Sequence, residues 1–279
     1  MIAAILAPAL ALGTPLGDPE PIVIGESYTV EAVEAERAVN VILPRDYATR
    51  EDERFPVVFV LDGGRGQDLM LHVGIERWNR LWSRSREAIV VGIETKDRQR
   101  ELLPPTATPA ERERFPTAGE AAAFRDWLVD TIRPAIAARY RTDGTAILVG
   151  ESAAGHFVSE TWAMQPDAFD GYAAISPSLQ WNGMALAHAF PSGGEGAPPL
   201  YLSLADEGGD TEAGMARVLG ALSDAQPLCF SDRRDDLVHA NTLHGLLPEA
   251  LQYLLPTQAD WLDEFGLTLR CDPRDSLAD

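Results

Sequence analysis

Ala146-Ile147-Leu148-Val149-Gly150-Glu151-Ser152-Ala153-Ala154-Gly155-His156-Phe157-Val158 is the stretch on which the fold turns. Its first four residues are aliphatic and uncharged, the composition of a strand buried on both faces of a parallel sheet. From Ala153 the chain reads as a helix over residues 153–164. Ser152 stands between the two, at the apex of a turn in which the helix must pass close to the strand. A bulky side chain two positions before or after the serine would clash there, and those positions hold Gly150 and Ala154.

The same kind of short apolar run recurs at Val57–Leu61, Ala88–Ile93 and Tyr172–Ile175, and Ala38–Leu43, Leu200–Leu204 and Leu228–Phe230 also read as strands. Helical patterns lie between them. Ala121, Phe124, Leu128, Ile132, Ala135 and Ile136 make one apolar stripe over residues 119–140, which Pro134 should kink. Weaker helical patterns cover residues 212–223 and 244–255. There is no internal repeat and no linker. Alternating strands and helices predict a doubly wound α/β fold, a mostly parallel central sheet with helices on both faces, as a single domain over residues 18–279. Residues 96–118 and 182–199 read as loops or a partial lid.

The 279 residues are 46% hydrophobic and 24% charged, an ordinary globular composition. Against 43 acidic side chains stand 23 Lys and Arg, for a formal charge of −20. That sum repels phosphate backbones, so nucleic acid is not an expected partner. Residues 2–12, IAAILAPALAL, are too short to cross a bilayer, so no membrane insertion is expected. They suit the apolar core of a secretory signal within a lead of residues 1–17, with cleavage after Ala11, and point to a periplasmic or secreted protein; the alternative is a buried N-terminal strand of a cytoplasmic one. Cys229 and Cys271 sit in no Cys/His cluster, so no metal site is expected. Export would allow them to bridge, but spacing alone does not decide it.

A strand, a sharp turn with serine at its apex and a helix make the context of a nucleophile elbow. Here the usual G-x-S-x-G becomes G-x-S-x-A, with Gly155 one step late. A serine nucleophile needs a base. In the chain order Ser, acid, His, only His239 and His244 of the five histidines come late enough. His239, in a polar loop after the strand Leu228–Phe230, is preferred, because His244 opens the next helix. His156 should point into packing behind the elbow, and His72 and His188 should be surface or rim residues. The acid should end the strand Leu200–Leu204, where Asp206, Glu207 and Asp210 are all available; Glu207 is the choice. The oxyanion donors expected are the N–H of Ala153 and one from Gly63 or Gly64, in the glycine-rich turn Asp62–Gly66. That turn lacks the Gly-Lys-Ser/Thr ending of a phosphate loop.

Several blocks in order resemble the putative-esterase family of α/β hydrolases: Val41-Ile42-Leu43-Pro44 with Tyr47, Phe55 to Gly64, Val90-Val91-Gly92-Ile93 with Arg98, Arg139-Tyr140-Arg141-Thr142, Gly150-Glu151-Ser152 with Gly155, Pro166 through Phe169, and Ser176-Pro177-Ser178 ahead of Trp181. The likeness spans about residues 38–182 and loosens beyond. That family includes enterochelin and ferri-bacillibactin esterases. The resemblance implies the α/β-hydrolase fold and an esterase with Ser152 as nucleophile, His239 as base and Gly63 or Gly64 in the oxyanion hole. The implied substrates are small esters or lactones, siderophore esters among them, and no cofactor is required. Arg65, Arg98 and Trp181 are candidate substrate contacts, since Arg pairs with carboxylates and Trp stacks. The same machinery would serve an acyltransferase, and a hydrolase fold can also carry a non-catalytic binding protein. The oligomeric state is left open.

Overall fold

A computed structural model describes residues 18–277; the expected lead at residues 1–17 lies outside the described residues. The strands are β1 (Glu26–Ala32), β2 (Ala35–Ile42), β3 (Phe55–Leu61), β4 (Ile89–Ile93), β5 (Thr142–Glu151), β6 (Gly171–Ile175), β7 (Leu200–Asp206) and β8 (Leu228–Val238). They form one sheet in the order β1-β2-β4-β3-β5-β6-β7-β8. β1 pairs with β2 and β2 with β4 antiparallel, and every later pairing is parallel.

The continuous apolar runs are explained by two cores. Along β3, Val57, Phe59 and Leu61 enter one core, and Val58 and Val60 enter the other, the two-residue alternation of a strand covered on both faces. The second core is closed by α1 (Leu69–Leu81) and α9 (Thr242–Leu254). The first is closed by α4 (Ala121–Trp127), α5 (Arg133–Arg139), α6 (Ala153–Met164) and α8 (Gly209–Ala221). The short helices α2 (Arg98–Leu102), α3 (Pro109–Arg114) and α7 (Trp181–His188) fall in the two stretches read as loops. They are stitched together there: the Ala107 N–H donates to Asn182 Oδ1 at 2.7 Å, and the Asn182 N–H donates to the Glu111 carboxylate at 3.0 Å.

The helix read over residues 119–140 is broken differently from the expectation. Between α4 and α5 lies a widened π-helical turn, Leu128–Ile132. Pro134 sits in the first turn of α5. Having no N–H to return to the preceding turn, it leaves that turn as the irregular one.

The sheet's connectivity places the chemistry. β3 lies between β4 and β5, so the chain leaves it in one direction and returns on its other side, opening a crevice at the carboxyl ends of β3 and β5. Those ends are the glycine-rich turn after Leu61 and the turn that carries Ser152. A buried ion pair fixes the nearby α2. The Arg37 guanidinium donates to both oxygens of Glu101, at 2.7 and 3.1 Å, and to the Ala32 carbonyl at 2.6 Å. It also lies over the Phe124 ring, 5.1 Å from the centroid. Both side chains are almost wholly buried, so removing one strands the charge of the other. Arg37→Ala is expected to lower the free energy of unfolding by about 3–5 kcal/mol, measured by urea titration; an unchanged midpoint would show that the pair contributes nothing.

Candidate active site

Ser152 adopts φ 61°, ψ −118°, a conformation costly for a residue with a side chain. The local hydrogen bonds hold it there: the Ser152 N–H donates to Ile175 O at 3.0 Å, and its carbonyl accepts from the His156 and Ser178 N–H groups at 2.8 and 3.0 Å. The glycines around it are required by space. A Cβ on Gly150 would lie 2.6 Å from the Ala154 carbonyl oxygen, and one on Gly155 would lie 2.9 Å from Ile175 O. Gly155 is therefore the position at which α6 crosses the end of β6, which is why the late glycine cannot be replaced, while Ala154 fits with its methyl in place.

Three side chains from distant parts of the chain share one cleft at this turn. Ser152, Glu207 and His239 line one cleft of about 240 Å³ together with Ser176, Ser178, Gln180 and Thr211. His239 Nδ1 lies 2.8 Å from Glu207 Oε1. Asp206 and Asp210, the other acids at the end of β7, are exposed to solvent. The Glu207 bond raises the His239 pKa above its ordinary value; burial opposes the shift and the Glu151 charge adds to it. Ser152 Oγ lies 3.4 Å from Ser178 Oγ. Among the described residues Ser152 Oγ makes no hydrogen bond to His239. His244 is an exposed residue of α9, and His188 is exposed at the end of α7.

The oxyanion donors need a correction. The Gly63 N–H is committed to Ile93 O at 2.8 Å, extending the β3–β4 pairing, so it is not available to a ligand. The Gly64 N–H donates at 2.9 Å to Gln67 Oε1, a side chain of its own turn. Ala153 is the first residue of α6, where an N–H has no acceptor within the helix.

Two of the expected substrate contacts have partners within the protein. Arg98 bridges the two turns of the crevice: its Nε donates to Asp62 Oδ2 at 2.7 Å and its Nη2 to the Glu151 carbonyl at 3.1 Å. Asp62, at φ 54°, also accepts from the Thr95 hydroxyl. Arg98 is thus a brace between the glycine-rich turn and the elbow. Trp181 is buried, with its indole N–H donated to Pro104 O at 3.0 Å. It walls a separate cavity of about 330 Å³ behind the elbow, with His156 and Met164. His156 is buried and its Nδ1 meets Ser178 O at 2.9 Å; burial lowers its pKa. His72, expected near the surface, is buried in α1, which pushes its pKa down to about 3. Arg65 is exposed beside a polar cavity of about 440 Å³ that Arg37 and Lys96 also line. Lys96 is paired with Glu94 at 2.8 Å, and Arg65 has no carboxylate partner among the described residues.

Sequence reasoning passed over Glu151, Asp62 and Gln67. Glu151 is the variable position of the elbow motif, so its type carries no signal there. Asp62 and Gln67 gain their roles only from the turn's shape. The described residues hold no cluster of His, Cys, Asp and Glu suited to a metal ion, and no helix among them is long and apolar enough to cross a membrane.

A model of the family described as putative esterase matches residues 30–209, more than half of the chain. The chain is 27% identical over 186 residues to the siderophore triacetylfusarinine C esterase of Aspergillus fumigatus, covering 61% of each protein. It is 34% identical over 108 residues to the ferri-bacillibactin esterase BesA of Bacillus subtilis, covering 34% of this chain and 37% of that protein. The matches therefore span about three fifths and just over a third of those two relatives. In fold, it superposes on the BES protein of Bacillus cereus with a TM-score of 0.71 at 17% identity, over 87% of this chain and all of that one.

The elbow can be tested by space alone. Gly150→Ala should cost roughly 1–3 kcal/mol of stability through overpacking, whereas Gly66→Ala, with nothing within 4 Å of the added carbon, should be close to neutral. Equal thermal midpoints for the two variants would contradict the tight crossing.

Proposed function

We propose that this chain, which belongs to the putative-esterase family, is a serine esterase that cleaves carboxylic esters through an acyl-enzyme. The observation that carries the reading is the 2.8 Å contact of His239 with Glu207 in the cleft that Ser152 lines. A carboxylate on Nδ1 fixes the imidazole tautomer and leaves Nε2 to act as base.

In the first step Ser152 Oγ bonds to the ester carbonyl carbon while its proton passes to His239 Nε2. The carbonyl electron pair moves to oxygen, where the Ala153 N–H receives it; Gly64 supplies a second N–H once Gln67 Oε1 yields it. The imidazolium then gives its proton to the departing alkoxide. Water, deprotonated by His239, releases the acyl group by the reverse sequence. The imidazole is about half exposed in the open cleft, 46% by side chain. Relatives named as esterases support hydrolysis over transfer. These steps call on no metal or organic cofactor.

For substrate, the relatives named as siderophore esterases support small ester or lactone siderophores. A chain of net charge −20 would repel a strongly anionic chelate, and Arg65, exposed in the glycine-rich turn, is our candidate to offset that. The Cys229–Cys271 disulfide fits an oxidising compartment and supports a periplasmic or secreted location.

Ser152→Ala and His239→Ala should each lower kcat/KM on a p-nitrophenyl ester by roughly 10⁵-fold or more. Glu207→Gln should lower it by roughly a hundredfold or more. Because His239 must be neutral to act and its pKa is raised, wild-type activity should be lost on acidification at a midpoint above 6.5, the ordinary histidine value. Glu207→Gln removes the main cause of the shift and should move that midpoint down. Retained hydrolysis in Ser152→Ala would overturn the reading, as would loss of activity in His244→Ala with His239→Ala active.

A further inference from the structure

We propose that Glu151, the residue immediately before the nucleophile, is a second carboxylate partner of His239 and holds the imidazolium from the side opposite Glu207. The inference rests on the reading of His239 as the base of an esterase.

The geometry is specific. His239 Nδ1 is occupied by Glu207, and Nε2, the nitrogen that must serve Ser152, lies 3.8 Å from Glu151 Oε1. That is outside a hydrogen bond but within ion-pair range. Glu151 is held in place from two sides. The Thr242 hydroxyl, from the first turn of α9, donates to the same Oε1 at 2.9 Å, and Arg98 holds the Glu151 main chain through its carbonyl at 3.1 Å. The Glu151 side chain is only 18% exposed, so its charge acts through little water. Burial pushes its carboxyl above the usual range, while His239, Thr242 and Arg98 draw it back and Asp68 pushes with burial. Around His239 the charged groups are Glu207 and Glu151, which favour the imidazolium, and Arg98, which opposes it.

A carboxylate in this position has a consequence that a purely structural residue does not. Imidazolium exists in two states: the resting enzyme at low pH, and the transition state after Ser152 has given up its proton. At low pH, Glu151 stabilises both equally, so removing it leaves the rate unchanged. At high pH, the resting imidazole is neutral and only the transition state gains. Loss of Glu151 should therefore lower the alkaline plateau of kcat/KM and move the acid midpoint down by the logarithm of the same factor. The low-pH limb stays where it was. Glu151 is thus a positioning residue, acting on the substrate only through His239.

The experiment is the kcat/KM–pH profile of wild type, Glu151→Gln and Glu151→Asp on a p-nitrophenyl ester. It is paired with NMR titration of the His239 ring protons, assigned by their loss in His239→Gln. For Glu151→Gln the expected result is a plateau lower by roughly three- to fivefold, the size of an ion pair at a half-exposed site. Its kinetic and NMR midpoints should both fall, and Glu151→Asp should recover part of each. A profile lowered at every pH with an unmoved midpoint, or an NMR midpoint equal to wild type, would overturn the pairing. If the wild-type protein hydrolyses no ester, the esterase reading fails, and the His239 titration still decides whether Glu151 pairs with it.

Discussion

One backbone conformation governs this molecule. Ser152 is forced to a positive φ because β5 must reverse into α6 within a single residue, and the Ile175 carbonyl and the Ser178 N–H hold it there. The strain is on the order of 1–3 kcal/mol and is carried by the burial of β5 and α6 on either side. Its effect is to lift the Ser152 side chain out of the sheet into the crevice and to present the first N–H of α6 beside it. Gly150 and Gly155 are the spatial conditions for that crossing, since a Cβ at either would press on backbone atoms.

The remainder of the site is brought to Ser152 by the sheet. Glu207 follows β7 and His239 follows β8, so neighbouring parallel strands deliver an acid and an imidazole to the same edge. On the other side, Asp62 follows β3, and Arg98 joins its carboxylate to the Glu151 carbonyl, tying the glycine-rich turn to the elbow. Arg98 in turn depends on α2, which the buried Arg37–Glu101 pair fixes to β2. At the far edge, the disulfide between Cys229 and Cys271 and the bridge from Phe230 to Asp272 secure the C-terminal segment to β8.

Much of the fold was legible because strands buried on both faces must be continuously apolar: β3, β4 and β6 announce themselves through Val, Ile, Leu and Ala. β1 did not, because as an edge strand it is half exposed, and Glu26, Thr29 and Glu31 interrupt it. α1 was hidden by its own buried polar side chains, His72, Glu76 and Asn79, which blur the apolar stripe. In the site, the strand-turn-helix around Ser152 could be read locally. The choice of Glu207 over Asp206 and Asp210 rests on which carboxylate faces an imidazole 32 positions later, and no local pattern states that. Gly63, offered with Gly64 as an oxyanion donor, differs from the expectation for the same reason: its N–H is spent on β4. Trp181 resembled a ligand platform, yet its indole is buried and its N–H is satisfied by Pro104.

Whether Ser152 is an activated nucleophile can be tested with a fluorophosphonate probe, without any choice of substrate. The folded protein would be labelled, digested and mapped by peptide mass spectrometry beside a heat-denatured sample and Ser152→Ala. The expected result is an adduct confined to Ser152 in the folded wild type and absent from both controls. A folded protein that takes no label, or takes it at another serine, would contradict it.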